Sequence, residues 1–303
     1  MRSVAAACLA LCGALVLAGC GGGSKGRDDL VFVSTRDGAY ELYAMNADGS
    51  HQHRLTSDHG GVSAPSKLYY QLDPAWSPNG RLIAFASQRD GPSHLFVVGV
   101  DGKHTRRLTS GAGPDRHPTW SPDGRRIAFV RGNTGALEVM NANGTGVHRI
   151  TRPADAAVGD PAWSPDGRWI ACDLRVPGDT TGEIWLVHPD GSDAHALTSL
   201  GANSISPAWS PNGRTIAFSS DKGRATLAIY EIGVSGKGLR LVAETSADAV
   251  DPTWSPDGKE IAFSTNGAVD IVDATGAVDQ LTNPKDNDSE PVWNPTPAPV
   301  KGS

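Results

Sequence analysis

The segment Asp73-Pro-Ala-Trp-Ser-Pro-Asn-Gly80 recurs in close copies along the chain. Four more copies keep its full length: His117-Pro-Thr-Trp-Ser-Pro-Asp-Gly124, Asp160-Pro-Ala-Trp-Ser-Pro-Asp-Gly167, Ser206-Pro-Ala-Trp-Ser-Pro-Asn-Gly213 and Asp251-Pro-Thr-Trp-Ser-Pro-Asp-Gly258. A sixth, shorter copy is Glu290-Pro-Val-Trp-Asn-Pro295. Successive tryptophans of these copies lie 39 to 46 residues apart. A period of about 40–45 residues that holds several short strands indicates the blades of a β-propeller.

Each repeat contains four short segments, which we interpret as strands A to D of one blade. Strand A carries Pro-x-Trp and ends in Ser-Pro-Asp/Asn-Gly, where proline presets φ and glycine completes a tight turn. Strand B is Ile-Ala-Phe or a close variant, strand C is a second apolar run, and strand D ends in Leu-Thr or a relative of it. Short runs between glycine turns exclude long helices over the repeats.

The two ends of the repeat region hold complementary incomplete blades. Residues 30–34 form a strand B with no strand A before it, and residues 290–295 form a strand A with no strand B after it. We expect the C-terminal strand to complete the first blade, because this removes the open sheet edges. The 264 residues from 30 to 293 give 44 per blade. We therefore predict an all-β, six-bladed propeller of four-stranded blades over 30–293, followed by a disordered tail over 294–303.

The N-terminal residues have the layout of an export signal. Arg2 precedes an uncharged apolar run over residues 4–18, which is too short for a comfortable transmembrane helix. The end of this run, Leu17-Ala18-Gly19-Cys20, resembles the bacterial lipobox, and the resemblance implies cleavage before Cys20 and acylation of its thiol. We predict a signal peptide over 1–19 and a lipidated cysteine with a flexible tether over 20–29. An ordinary cleaved signal with a chance cysteine is the alternative.

Composition narrows the classes of function. The chain has 36 Gly and 21 Pro in 303 residues and a formal net charge of −6. The acidic balance argues against nucleic-acid binding, which favours basic surfaces. After export, Cys172 would be the only cysteine without a lipid, so no internal disulfide is expected. Its place in a strand B predicts a small buried side chain.

The combined pattern Pro-x-Trp-Ser-Pro-Asp-Gly, Ile-Ala-Phe, Asn-Ala-Asp-Gly and Leu-Thr resembles the TolB-type, WD-like propeller repeat over residues 30–293. The resemblance implies a six-bladed propeller that works in the cell envelope by binding protein partners. Members of the Tol–Pal type carry a separate α/β domain ahead of the propeller. Only residues 20–29 separate the predicted lipidation site from the first strand. We therefore expect that domain to be missing, and only the fold and the capacity for binding to carry over.

The sequence contains no motif for catalysis or nucleotide binding. A Gly-x-Ser-x-Gly elbow and the glycine-rich phosphate-binding loops do not occur. His51 and His53 have metal-like spacing, but a solvated edge strand also accounts for them. Asp286, Asp288 and Glu290 imitate the start of a calcium loop without its glycine and distal glutamate. We therefore assign no catalytic residue, no metal and no cofactor.

The residue before each repeat proline is the main candidate for a binding site. If strand A is the innermost strand, six such residues meet at one mouth of the central channel: Asp73, His117, Asp160, Ser206, Asp251 and Glu290. Four carboxylates and one histidine would form a negative rim suited to a cationic peptide segment, a basic ligand or a metal ion. The alternative is structural, with each carboxylate bonded to the backbone of a neighbouring blade.

One connection between blades is longer than the others. Residues 57–72 number sixteen and include His59, Tyr69 and Tyr70. This loop is predicted to lie on the same face as the channel mouth, where its aromatic side chains are candidates for partner contact. Decoration without function is the alternative.

These features predict a lipid-anchored, monomeric protein that is exported to the cell envelope and faces the periplasm or the cell exterior. Its membrane contact would be through the lipid alone, and nucleic acid is not an expected partner. We expect a non-enzymatic module that binds an envelope protein, or a peptide with a basic segment. The rival prediction is a metal- or carbohydrate-binding enzyme, or a ligand sensor, that uses the same acidic mouth.

Overall fold

A computed structural model of the chain describes residues 28–57, 71–89, 91–132, 135–150 and 156–296. In these residues short strands alternate with tight turns, and the one helical element among them is a single 3-10 turn, Pro284–Asp286. The strands form six antiparallel sheets, which are the blades of the predicted propeller. Within the same residues, no helix is long and apolar enough to span a membrane.

Chain order groups the strands into six blades. Blade 1 contains β1 (Leu30–Ser34), β2 (Glu41–Met45) and β3 (His53–Arg54), and blade 2 contains β4 (Gln71–Trp76), β5 (Leu82–Ser87), β6 (His94–Gly99) and β7 (Arg106–Arg107). Blade 3 contains β8 (Asp115–Trp120), β9 (Arg126–Arg131), β10 (Ala136–Asn141) and β11 (His148–Arg149). Blade 4 contains β12 (Ala157–Val158), β13 (Ala162–Trp163), β14 (Ile170–Arg175), β15 (Glu183–Val187) and β16 (His195–Ala196). Blade 5 contains β17 (Ser204–Trp209), β18 (Thr215–Ser220), β19 (Ala228–Gly233) and β20 (Arg240–Ala243). Blade 6 contains β21 (Ala249–Trp254), β22 (Glu260–Thr265), β23 (Ala268–Asp273) and β24 (Val278–Gln280), and β25 (Ser289–Trp293) follows.

The last strand completes the first blade, as predicted. Strand β25 pairs antiparallel with β1, in a register that places Leu30 opposite Trp293. The backbone N–H of Asn294 then donates to the carbonyl oxygen of Asp29 at 2.8 Å. Successive inner strands contact one another around the axis, and β25 contacts both β21 and β4. The ring of blades is therefore closed by pairing between the two ends of the chain.

Inner tryptophans and strand B aromatics hold neighbouring blades together. The indole N–H groups of Trp76, Trp120 and Trp209 each donate to a carbonyl of the preceding blade, at 3.1 to 3.2 Å. The third residue of strand B is fully buried in five blades: Phe32, Phe85, Phe129, Phe218 and Phe263. Cys172 takes this place in blade 4 as a buried free thiol, so the predicted buried side chain is confirmed. Burial of large apolar side chains between sheets is the main stabilising contribution.

The turn after each inner strand defines the face opposite the channel mouth. In blade 3 the hydroxyl of Ser121 donates to Asp123 at 2.6 Å and accepts the backbone N–H of Arg126 at 2.9 Å. Gly124 in the same turn has φ of 69°, a conformation that glycine adopts without strain. Each inner strand therefore runs from the mouth residue to this turn. We call the face with the turns the tryptophan face.

Candidate binding site in the central channel

The six predicted residues lie together at one mouth of the channel, and we call them the mouth ring. Five of them, Asp73, His117, Ser206, Asp251 and Glu290, have left-handed backbone with φ between 50° and 58°. The pairing of the inner strand with strand B is irregular in the same five blades. A bulge of this kind re-aims a side chain away from the regular ladder. The five side chains thereby line the channel instead of packing between sheets.

The mouth ring opens into a cavity of about 380 Å³ on the propeller axis. All six ring residues line it, together with the proline that follows each of them. Below the prolines the wall consists mainly of small or apolar side chains: Ala75, Thr119, Ala162, Ala208, Thr253 and Val292. The channel therefore has a charged mouth and a largely apolar wall.

On one side of the mouth ring, carboxylates tie neighbouring blades together. Glu290 of blade 1 accepts the backbone N–H of Asp73 in blade 2. Asp73 in turn accepts the backbone N–H of His117 in blade 3, at 3.1 Å. For Glu290 and Asp73 these bonds match the structural alternative, in which a ring carboxylate bonds to the backbone of a neighbouring blade. The two residues therefore help to hold the blades together.

A half-buried ion pair continues the ring. Nδ1 of His117 lies 2.7 Å from Asp160 and 3.2 Å from Asp73, measured to one carboxylate oxygen of each. Burial opposes a charged imidazole, but the two carboxylates more than offset it and hold the pKa of His117 well above its ordinary value. Burial likewise opposes the charge of Asp160, yet the charged His117 lowers the pKa of this carboxyl to about 2. The pair is therefore ionised at neutral pH.

On the other side of the mouth ring, carboxylates bond to side chains. The hydroxyl of Ser206 lies 2.8 Å from Asp160 and 3.2 Å from Asp251, so its single proton is shared between two acceptors. The second Asp251 oxygen lies 3.4 Å from the hydroxyl of Ser264. Burial and the charge of Asp160 raise the pKa of Asp251 to about 6. No positively charged side chain therefore fully balances the negative charge of Asp251.

One further carboxylate, Asp173, which was not predicted from the sequence, lies beside the ring. This residue follows Cys172 in β14, and its carboxylate lies close to the backbone N–H of Ser206 in the next blade. Burial and the charge of Asp160 raise the pKa of Asp173 to about 7. Its Oδ1 is buried and has no hydrogen-bond partner among the described residues. The available signal was a break in the repeat, because five other blades carry Val33, Ala86, Val130, Ser219 or Ser264 at this position.

Of the other sequence candidates, those within the described residues do not join the site, and the remaining four cannot be placed. Cys20, His59, Tyr69 and Tyr70 lie outside the described residues. His51 and His53 are near the start of β3 on the tryptophan face, and His53 lies 3.5 Å from Asp28. Asp286, Asp288 and Glu290 do not form a calcium loop: Asp288 pairs with Arg36 of blade 1 at 2.8 Å, and of the three only Glu290 belongs to the mouth ring. Among the described residues no three His, Cys, Asp or Glu side chains are arranged to hold a metal ion.

Comparisons with known proteins agree with this architecture. An uncharacterized protein of Agrobacterium fabrum is 33% identical over 91 residues, which cover 30% of this chain and 28% of that protein. The Tol-Pal system protein TolB of Desulfosudis oleivorans is 33% identical over 69 residues, or 23% of this chain and 14% of that protein. The chain thus matches less than a third of the length of either relative.

The fold has close structural counterparts. The crystal structure of TolB from Acinetobacter baumannii superposes with a TM-score of 0.72 at 20% identity, over 89% of this chain and 67% of that one. The family model described as the TolB beta propeller domain matches residues 62–156 and 153–300, which is well over half of the sequence. The chain is therefore a member of the TolB beta propeller domain family.

Proposed function

We propose that this protein is a lipid-anchored, non-enzymatic binding module of the cell envelope, which holds a segment of a partner protein at the mouth ring. The observation that carries the proposal is the ring of four carboxylates and one imidazole at the mouth of the axial cavity, with a fifth carboxylate, Asp173, beside the ring. A concave site with converging charged groups focuses the field on an incoming ligand. Membership of the TolB propeller family and the TolB relatives support an envelope role.

The position of the chain entry gives this module an orientation. Asp29 precedes β1 on the tryptophan face, where its carboxylate accepts the backbone N–H of Ala47 at 3.1 Å. Acylation of Cys20 would place the lipid about nine residues away, within roughly 30 Å at full extension. The tryptophan face would then point to the membrane, and the mouth ring would point away from it. A partner would reach the ring from the envelope space.

The lipid anchor is tested by metabolic labelling with palmitate. We expect wild-type protein to carry the label and to fractionate with membranes, because two or more acyl chains anchor stably. The Cys20→Ala variant should lose both properties. Label that persists in this variant would contradict acylation at Cys20.

Binding at the ring is tested by crosslinking capture from the native envelope. The test variant is Asp160→Asn/Asp251→Asn, which keeps side-chain shape and removes two ring charges. Its matched control is Asp101→Asn/Asp190→Asn, since these two aspartates lie in turns on the tryptophan face and bond only their own turns. A partner captured by wild type and control, but lost from the ring variant, is the expected result. Equal capture by all three proteins would remove the ring as the binding site.

One observation favours the rival enzyme or sensor. Asp160 and Asp173 approach the same serine, and their pKa values, about 2 and about 7, are pushed apart as in acid–base pairs. Stoichiometric zinc, manganese or calcium in purified protein, or turnover of a carbohydrate that requires Asp173, would support that rival. We expect neither.

A further inference from the structure

The two halves of the channel mouth differ in the layer just behind the ring. This layer is the fourth residue of strand B, which is Val33, Ala86 and Val130 in blades 1 to 3, but Asp173, Ser219 and Ser264 in blades 4 to 6. We call Asp173, Ser219 and Ser264 the polar tier. Ser264 accepts the backbone N–H of Glu290 in the next blade at 2.8 Å, and the Asp173 carboxylate lies close to the backbone N–H of Ser206. Residues of the tier therefore point at the ring residue of the following blade.

Two atoms of the polar tier lack partners. Ser219 occupies the equivalent position in blade 5; it is fully buried, and its Oγ has no hydrogen-bond partner among the described residues. Oδ1 of Asp173 is also buried and unpartnered. An unsatisfied buried polar group destabilises the folded state. A purely structural layer would be more stable with the apolar residues that blades 1 to 3 carry.

The backbone of blade 4 leaves space for the extra carboxylate. A Cβ on Gly159 would lie 2.3 Å from Oδ2 of Asp173, so no other residue fits here without displacement. The equivalent residues of the other blades all carry side chains: Leu72, Arg116, Ile205, Val250 and Ser289. Gly159 and Asp173 are thus two departures from the repeat that accommodate each other. This pairing shows that blade 4 is built around a carboxylate at the ring.

The resulting cluster lacks positive charge. His117 is the only cationic side chain in the mouth ring, and it is bound to Asp73 and Asp160. Asp173 and Asp251 flank Ser206 and bond no Lys, Arg or His among the described residues. Burial raises the pKa of both carboxyls. A bound cation would return them to the ionised state, so the site favours uptake of a cation with release of protons.

We propose that Asp173, Ser206 and Asp251 bind a primary ammonium group, supplied by a lysine side chain of the partner segment. An ammonium has three N–H donors, which match carboxylate and hydroxyl oxygens that approach from different blades. Guanidinium is planar and prefers a bidentate carboxylate instead. This inference rests on the proposed function and specifies the chemistry of its ligand.

The test uses the detergent-solubilised full chain and an end-blocked glycine peptide with one central lysine. Binding is followed by calorimetry and by amide NMR shifts of Ser206 and Asp251. The same peptide with acetyllysine, the same peptide with arginine, free cadaverine and calcium chloride are the comparison ligands. We expect the lysine peptide to shift both amides and to bind at least about tenfold more tightly than the acetylated and arginine forms.

The variants separate this proposal from the general binding function. Asp173→Asn keeps the shape of the side chain and removes its charge, and we expect it to bind the lysine peptide about tenfold more weakly, while Asp190→Asn binds normally. No shift with the lysine peptide, equal binding of its acetylated form, or unchanged binding by Asp173→Asn would overturn the ammonium site. Displacement by calcium alone would replace it with a metal site, and tighter binding of cadaverine than of the peptide would overturn a peptide source. Envelope capture that survives Asp173→Asn but not Asp160→Asn/Asp251→Asn would leave the binding function intact and refute only this inference.

Discussion

Single carboxylates at the channel mouth fall into two groups according to what they bind. Glu290 and Asp73 accept backbone N–H groups of the neighbouring blade, so their negative charge is engaged in the architecture. Asp251 meets hydroxyl groups instead, and Asp173 leaves one oxygen buried and unpartnered. Functional sites commonly retain such perturbed groups at a cost in stability. Removing a charge from the second group should therefore stabilise the fold.

We predict that Asp173→Asn is more stable than wild type at pH 8. Because the folded-state pKa of Asp173 is raised to about 7, from 3.8, the folded protein holds this proton more tightly than the unfolded chain. Stability then falls as pH rises from about 4 to about 7, and the variant avoids this loss. The gain should reach a few kcal/mol above pH 7 and vanish near pH 4. Denaturant unfolding across this range measures it, with the exposed Asp190→Asn as control; a variant that is less stable at pH 8 would contradict the prediction.

We predict that His117→Gln lowers the free energy of unfolding by about 1–3 kcal/mol. This is less than the cost of breaking a fully buried ion pair, because His117 and Asp160 each keep about a third of their side-chain surface exposed. The imidazole contributes fully below its unfolded pKa near 6.5 and loses its contribution only as pH rises through its higher folded pKa. The Asp160 contribution is present above about pH 4 and is lost as pH falls towards 2. The variant should thus show its largest deficit between about pH 4 and pH 6.5. A deficit independent of pH would point to packing alone.

Among the structural elements, the inner strand of blade 4 is the exception. It is split into β12 and β13, both of which pair with β14. Asp160, between them, lacks the left-handed backbone of the other five ring residues. The carboxylate of Asp173 occupies the space beside Gly159, where a side chain would otherwise pack. The irregular strand and the Asp173 carboxylate therefore lie side by side in blade 4.

We predict that Gly159→Ala costs about 1–3 kcal/mol of stability, because its Cβ would overlap the Asp173 carboxylate. Combining it with Asp173→Ala should recover most of the loss, since the overlapping atoms are then gone. A double-mutant cycle by chemical denaturation measures this coupling. Gly113→Ala is the matched control, since its Cβ would meet its nearest neighbour at an ordinary 3.6 Å. Additive effects in the cycle would show that the two positions are independent.

At the level of the complete propeller, stability depends on one pairing between the chain ends. Strand β25 covers the edge of β1, whose five residues are all buried. An uncovered edge of this kind templates aggregation. The closure also joins blade 6 to blade 2 through β25. Its loss should affect every blade.

We predict that a chain ending at Asp288 does not unfold cooperatively and forms soluble aggregates, because β1 then presents an open apolar edge. Size-exclusion chromatography with light scattering and thermal unfolding measure both effects. A chain ending at Thr296 keeps β25 and is the control, with an unfolding temperature equal to that of the full chain. A monomeric, cooperatively folded chain ending at Asp288 would contradict closure by β25.

Much of this architecture could be predicted, because each blade is specified locally. The Pro-x-Trp-Ser-Pro-Asp-Gly repeat specifies an inner strand and its turn, and one period recurs often enough to count six blades. The incomplete first and last repeats also implied the closure that β25 makes with β1. Position in the repeat was enough to place Asp73 and Asp251 at the same mouth, since equivalent residues of a ring must face one axis.

The hydrogen-bond partners of the individual carboxylates at the mouth could not be predicted from the repeat. Asp160 and Ser206 are 46 residues apart, and Asp73 and Glu290 are 217 apart, yet each pair is joined by a hydrogen bond. Which carboxylate meets a backbone N–H, and which is left beside hydroxyls, depends on the rotation between neighbouring blades. In the sequence Asp173 is one polar substitution in an apolar strand. Only the folded chain places it beside Gly159 and Ser206, where burial without a positive charge raises its pKa.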